Sequence, residues 1–193
     1  LAHADSIDWY IRDWPPVNIL QGPMQGLGAY DVMLNRLIAA LPQYEHQLHI
    51  STLTMRQQMM QQQITHCLFG LLKTPQRQTF LQFSEVAAAI PNLQLVARAD
   101  HPLWQQLQGS AEVDLDWLFQ QTWRGMVEQQ RTYPAPIAAH LSELLQVSPT
   151  ETDLVQMLNA NRADYVLEYA DRMYYLAQQK QGVPLRSIAL KGL

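Results

Sequence analysis

The sequence predicts an α/β fold of two lobes, each a mostly parallel sheet flanked by helices. Three observations carry that expectation. In the first 92 residues, short aliphatic and aromatic runs alternate with stretches of helical spacing in the order β-α-β-α-β, the order of parallel strands whose connections return over the sheet faces. A polar, turn-rich passage at Asp100-His101-Pro102 and Gly109-Ser110 follows, and the alternation then starts again. With 193 residues, 48% of them apolar and 16% charged, the chain is long enough to bury a sizeable core in one large domain or two small ones. The two lobes are placed at 5–92 and 93–193, joined by extended chain near 88–97.

Each element has its own signal. Ile7-Asp8-Trp9-Tyr10-Ile11 alternates and carries aromatic and β-branched residues, which reads as a strand. It stops at Asp13-Trp14-Pro15-Pro16, where the prolines remove ladder donors and hold Trp14 extended. Gly22, Gly26 and Gly28 make a flexible connection, after which Tyr30, Met33, Leu34, Leu37, Ile38 and Leu41 recur at helical spacing until Pro42. A second strand is read at 46–50, a second helix around Met55 and Met59, and a buried third strand in the apolar run 67–72. In the second lobe an extended apolar run closes at 93–97. Then come a helix at 113–120, a strand at 123–127, a helix at 136–145, a helix opened by the loose capping box Thr150-x-x-Asp153, and strands at 165–169 and 185–190.

Composition excludes several classes of function. A formal net charge of −4 is the wrong sign for non-specific nucleic-acid binding. No run reaches the ~20 apolar residues of a membrane-spanning helix. Leu1-Ala2-His3-Ala4 puts alanines at both positions of an A-x-A cleavage site, which points to a processed signal peptide and a periplasmic location. Cys67 is the single cysteine, so no internal disulfide can form, and inside an apolar strand it reads as core. His46, His49 and His66 lack acidic or cysteine companions at ligand spacing and read as strand-end residues rather than metal ligands. No metal and no cofactor is expected.

Two constellations carry chemistry. In Gly70-Leu71-Leu72-Lys73-Thr74-Pro75-Gln76-Arg77, a hydroxyl and a guanidinium follow a strand's carboxyl end, where open α/β sheets bind ligands. Arg77 is shaped for two-pronged capture of a carboxylate, although that stretch alone reads equally as a surface turn with a solvated arginine. Gln130-Arg131-Thr132-Tyr133-Pro134 lies between a strand and a helix, where hydroxyls and backbone N–H groups can receive an anion. Glu168 ends a short apolar strand, as a ligand contact or as a solvated acid. Trp14 either caps the core or offers a stacking wall.

Taken in order, Asp13-Trp14-Pro15-Pro16, Gly28-x-x-Asp31, Thr74-x-x-Arg77, Phe83-Ser84, Arg131-Thr132-Tyr133 and Asn161-Arg162-Ala163-Asp164 resemble the periplasmic solute-binding proteins of the polar amino-acid type, from about residue 7 to 190. The most specific part is Thr-x-x-Arg followed by Phe-Ser. The resemblance is to an uncharacterised branch of that superfamily, and it implies a type 2 periplasmic-binding-protein-like fold whose two lobes close on a small solute. It further implies that Arg77 with Thr74 grips an α-carboxylate, that Thr132 assists, that Glu168 takes an α-ammonium and that Trp14 forms an aromatic wall. The chain departs from the family at Gln63-Ile64-Thr65-His66, where Gly-x-x-Asp is usual, at Val17, where a second aromatic is usual, and at Glu168, where Asp is usual.

The function so implied is binding of a small anionic or amino-acid-like ligand for delivery to a membrane transporter or a sensor protein, without catalysis. A dehydratase-like enzyme on the same scaffold is the alternative, since fold does not fix function. The effector domain of a transcription regulator is a third possibility, disfavoured because no DNA-binding helices are present. The family chain ordinarily crosses back to the first lobe and ends in a further strand and helix. That return segment is read as missing after Leu193, with self-association through an uncovered apolar face as the expected consequence.

Overall fold

The computed structural model describes residues 5–62, 66–148 and 154–193. The chain divides into two compact units, Leu1–Ala89 and Ile90–Leu193. Each is built on its own sheet.

In the first unit, β1 (Ser6–Ile11), α1 (Ala29–Ala39), β2 (Glu45–Ile50), α2 (Leu53–Gln61), β3 (Cys67–Leu68) and α3 (Pro75–Gln78) follow one another. The sheet order is β2-β1-β3 and both pairings are parallel. Central β1 carries the buried Trp9, opposite Leu48 and Cys67 in the ladder. The start of α1 is fixed by the buried Asp31, whose carboxylate accepts from Asn18 Nδ2 (2.8 Å), Ile19 N (2.8 Å) and Gly28 N (3.0 Å). Three donors of the glycine-rich connection are thereby drawn onto one helix turn. The third strand is shorter than the run 67–72 predicts. Gly70 takes φ +72°, a left-handed conformation that bends the chain away after Leu68, so Phe69 and Leu71 are half-buried without joining the ladder.

The second unit contains β4 (Gln94–Arg98), α4 (Leu103–Gln106), β5 (Glu112–Val113), α5 (Leu115–Phe119), β6 (Gly125–Glu128), α6 (Ala135–Ala138), β7 (Leu145–Val147), α7 (Leu154–Asn159), β8 (Tyr165–Glu168), α8 (Ala170–Gln179) and β9 (Leu185–Leu190). Their order is β5-β9-β4-β8-β6-β7. The sheet is parallel except around β4, which runs opposite to both β8 and β9. Alternate residues of each inner strand serve opposite faces. Leu95, Ala97, Val127 and Leu167 pack with α4, α5 and α6, whereas Val96, Met126 and Val166 pack with α7 and α8. Burial on both faces is why β4, β6 and β8 read as continuous apolar runs.

Two sequence expectations need correction. The helix expected at 136–145 is one turn of α6, a 3-10 turn at Leu141–Glu143 and then β7, which pairs in parallel with β6. The helix expected at 113–120 begins only at Leu115, because Val113 belongs to β5 and the Asp114 side chain caps the helix through Asp116 N and Trp117 N. The two units divide between Ala89 and Ile90, inside the expected connection at 88–97, whose last four residues, 94–97, already belong to β4. α8 stands where the sequence predicts no element. The Leu1-Ala2-His3-Ala4 stretch, Gln63-Ile64-Thr65 and the Thr150-x-x-Asp153 box lie outside the described residues.

Candidate functional site

Trp14, Thr74 and Arg77 belong to the first unit, and Arg131, Thr132, Tyr133 and Glu168 to the second.

The carboxyl ends of the parallel strands β1, β2 and β3 share one edge of the first sheet. Beyond β1, Trp14 is half-buried in a tight turn, its N–H donating to Asn18 O (2.9 Å) and its carbonyl accepting from Val17 and Asn18 (both 3.1 Å). The Arg12 guanidinium lies over its ring at 5.2 Å. Beyond β3, Thr74 caps α3 by accepting from Arg77 N at 3.3 Å, with Pro75 at the first helical position. Arg77 is half-buried and its Nη1 donates to Leu72 O at 2.8 Å. Burial holds the Arg77 pKa below the ordinary arginine range. Thr74 and Arg77 thus meet in a single turn, as their spacing implies.

The histidines have partners of their own. Trp9 Nε1 donates to His46 Nδ1 (2.9 Å), which leaves His46 Nε2 to donate to Leu41 O (2.9 Å). His49 Nε2 meets Asp8 Oδ1 at 2.6 Å, and His66 packs edge-on against Tyr10. Among the described residues no cluster of three or more His, Cys, Asp or Glu side chains could hold a metal ion. Burial, and then the Asp8 carboxylate, push the Cys67 thiol up, so it stays protonated and a poor nucleophile.

In the second unit, Arg131 and Glu168 meet although 37 residues separate them: Arg131 Nη1 donates to both carboxylate oxygens at 2.7 Å. Glu168 also accepts from Arg172 Nη1 and from Tyr169 N, each at 2.8 Å. Arg172 in turn lies 3.4 Å from Glu128 Oε2. Glu128 and Glu168 end the adjacent parallel strands β6 and β8, so two buried carboxylates face two guanidinium groups. Arg131 is sandwiched by aromatic rings, 4.8 Å from the Tyr169 centroid and 5.4 Å from that of Tyr133. Burial alone would push the Glu168 carboxyl up; the charges of Arg131 and Arg172 and the Arg131 and Tyr169 hydrogen bonds outweigh it and hold the pKa below the usual value. Burial works to lower Arg131 as well, but Glu168 and its neighbours raise it on balance.

This arrangement changes the roles read from sequence. The carboxylate that the resemblance assigns to an ammonium is already the anchor of two guanidinium groups. Tyr133 is buried, its hydroxyl donates to Glu128 O at 2.9 Å, and its ring lies 5.4 Å from the Arg131 guanidinium. Thr132 is exposed next to it. The Asn161-Arg162-Ala163-Asp164 motif is a structural turn: Asp164 Oδ2 accepts from Arg124 N at 2.7 Å, and Asn161 O accepts from Arg124 Nη2 at 2.6 Å. Sequence reasoning missed Glu128, Arg172, Arg12 and Arg56. The Glu168-to-Arg172 spacing of four residues is a helix-type ion-pair signal, but Glu168 ends a strand and the sequence predicts no helix after it.

No protein-family model and no curated protein matches the sequence. Solved structures do. Over 97% of this chain and 77% of the other, it is similar to a histidine kinase sensor domain with similarity to periplasmic binding proteins (TM-score 0.65, 17% identity). Over 97% and 80%, it is similar to a periplasmic binding protein of an arginine transport system from Legionella pneumophila (TM-score 0.63, 14% identity). The chain has the type 2 periplasmic-binding-protein fold. A third structure of this fold is an ABC uptake transporter substrate-binding protein from Streptococcus pneumoniae with bound histidine, matched over 98% of this chain and 76% of the other (TM-score 0.64, 12% identity). Among the described residues, no helix of this periplasmic-binding-protein fold is long and apolar enough to cross a membrane.

Proposed function

We propose that the protein is an extracytoplasmic receptor, acting in the periplasm, that binds a small polar or anionic, amino-acid-like solute and presents it to a transporter or a sensor protein. The observation that carries this reading is the Thr74–Arg77 turn, where a capping hydroxyl and a half-buried guanidinium sit just beyond the carboxyl end of a parallel strand. Sheets of this kind bind ligands at that edge, and a guanidinium matches a carboxylate in both charge and shape. Trp14, beyond the neighbouring strand, supplies the aromatic wall.

The structures of similar fold are of transport proteins and a sensor domain, which supports a binding role. The test is calorimetric titration of the purified protein with polar amino acids, followed by tryptophan fluorescence and product analysis. Binding without turnover is expected. Arg77→Ala should weaken it by ~1.5–3 kcal/mol, the value of a hydrogen bond to a charged group, which is about tenfold or more in Kd. Arg77→Lys should restore little, because an ammonium lacks the planar fork. Unchanged affinity in both variants would remove Arg77 from the site, and formation of a product would replace the receptor by an enzyme.

A further inference from the structure

A sheet edge is a row of unpaired N–H and C=O groups that another chain can extend, and folded proteins blunt such edges with short strands, charged side chains, proline or bulges. Among the described residues the two sheets have four edge strands, and three are blunted by brevity: β3 and β5 have two residues each and β7 has three. β2 is the exception. It runs for six residues, Glu45–Ile50, in unbroken parallel register with β1, and has no strand on its other side among the described residues. Between Tyr44 and Ser51 there is no lysine, arginine, proline or glycine. Leu48 and Ile50 are 52% and 71% exposed, where an edge in water ordinarily carries charge.

The backbone shows which groups are open. Glu45 N donates to Asp5 O (3.1 Å) and Ser51 N to Ile11 O (2.8 Å), so the odd-numbered residues of β2 turn their polar groups toward β1. Those of His46, Leu48 and Ile50 therefore point outward. A second copy related by a two-fold axis normal to the sheet adds an antiparallel strand and closes the edge, whereas a parallel addition would leave a new edge each time. One register pairs all three outward residues with one another: Leu48 with the partner's Leu48, and Ile50 with the partner's His46. Leu48 and Ile50 share a face, so in that register they join with their copies into one apolar strip across the axis. On the other face the two Glu45 carboxylates stand at far ends. Each lies diagonal to the partner's His49, whose Nε2 is held by Asp8 and whose Nδ1 is left to meet it. Unlike charges are brought together and like charges kept apart.

We infer that β2 is the interface of a homodimer, in which two copies of this chain pair antiparallel through His46, Leu48 and Ile50 and join their three-stranded sheets into one. A single strand pair buries less than the ~1,200–2,000 Å² of a standard interface, so the association is weak and grows with concentration. It rests on the sheet edge and not on the receptor reading.

The test is sedimentation velocity of the purified protein from ~10 µM to ~1 mM, the range in which small interfaces associate. The unaltered protein should pass from monomer to dimer across that range. Leu48→Lys sets a charge directly opposite its own copy and should raise the dissociation constant about tenfold or more. Ile50→Lys, at the more exposed position, is read in the same way should Leu48→Lys not fold. Leu48→Cys in a Cys67→Ser background reads the register: the paired positions stand at a Cα separation of ~5.5 Å, within disulfide range, and oxidation should give a covalent dimer. Glu45→Cys in that background should not, because six residues of rise, ~20 Å, separate the two copies of that position. A protein that stays monomeric throughout, an association that the lysine variants leave unchanged, or a covalent dimer formed as readily through Glu45→Cys as through Leu48→Cys overturns the interface.

Discussion

Glu168 is a carboxylate kept charged where water does not reach, with 1% of its surface exposed. Its burial costs free energy that two guanidinium groups and one backbone N–H offset. Because its folded pKa lies below the unfolded value of ~4.3, the stability it contributes is fully present above that value and is lost as pH falls through the folded pKa. Urea titrations should therefore show stability falling below about pH 4, and Glu168→Gln should flatten that part of the profile. Glu168→Ala leaves two buried guanidinium groups short of their acceptor and should cost ~3–5 kcal/mol, read from the urea midpoint at neutral pH. An unchanged midpoint would mean that water replaces the carboxylate. Arg131 and Glu168 were both legible in the sequence as polar residues at strand ends. Their mutual pairing was not, because it depends on β6 and β8 lying side by side.

Elements in this protein are short, and their ends are set by single residues. After β3 the left-handed Gly70 has the Tyr30 ring in the place where a Cβ would stand, and Phe69 packs edge-on against the same ring at 5.4 Å. Gly70→Ala combines backbone strain with overpacking and is expected to cost ~1–3 kcal/mol in thermal or urea unfolding. Tyr30→Ala in the same background should recover part of that loss by opening the space; failure to do so would place the whole penalty in the backbone. The double variant is thus a direct reading of what limits β3. The run 67–72 looks like one strand because apolar content alone cannot register a bend. In α8 the core contacts Ala170, Met173, Leu176 and Ala177 do recur at helical spacing, so this helix carries a local apolar signal of its own.

Across the whole chain burial is uneven. Both large hydrophobic clusters lie in the second unit, where every residue of β6 and β8 is buried. In the first unit the buried apolar side chains among the described residues are Trp9, Ile19, Tyr30, Leu34, Met59 and Met60, while Leu48 and Ile50 of edge strand β2 are 52% and 71% exposed. Local opening is easiest where few apolar contacts must break. Hydrogen exchange followed by mass spectrometry should find β1 and β2 amides exchanging faster than those of β4, β6 and β8. Equal protection in both sheets would show that the two units open together as one cooperative body.

The sequence by itself determined the fold class, the alternation of strands and helices in the first unit, and the Thr74–Arg77 turn. These rest on local signals: apolar periodicity, a capping hydroxyl and proline at a helix start, all contained within a few residues. Only the tertiary structure decided that β4 runs opposite to its neighbours, that Arg131, Arg172, Glu128 and Glu168 form one charge network, and that Arg56 is buried against Ser51 Oγ and Tyr10 O. Strand direction follows from which edges pair, and the charge state of a buried group follows from what surrounds it in space. Both depend on residues far apart in the chain, a distance over which one sequence carries no signal of contact.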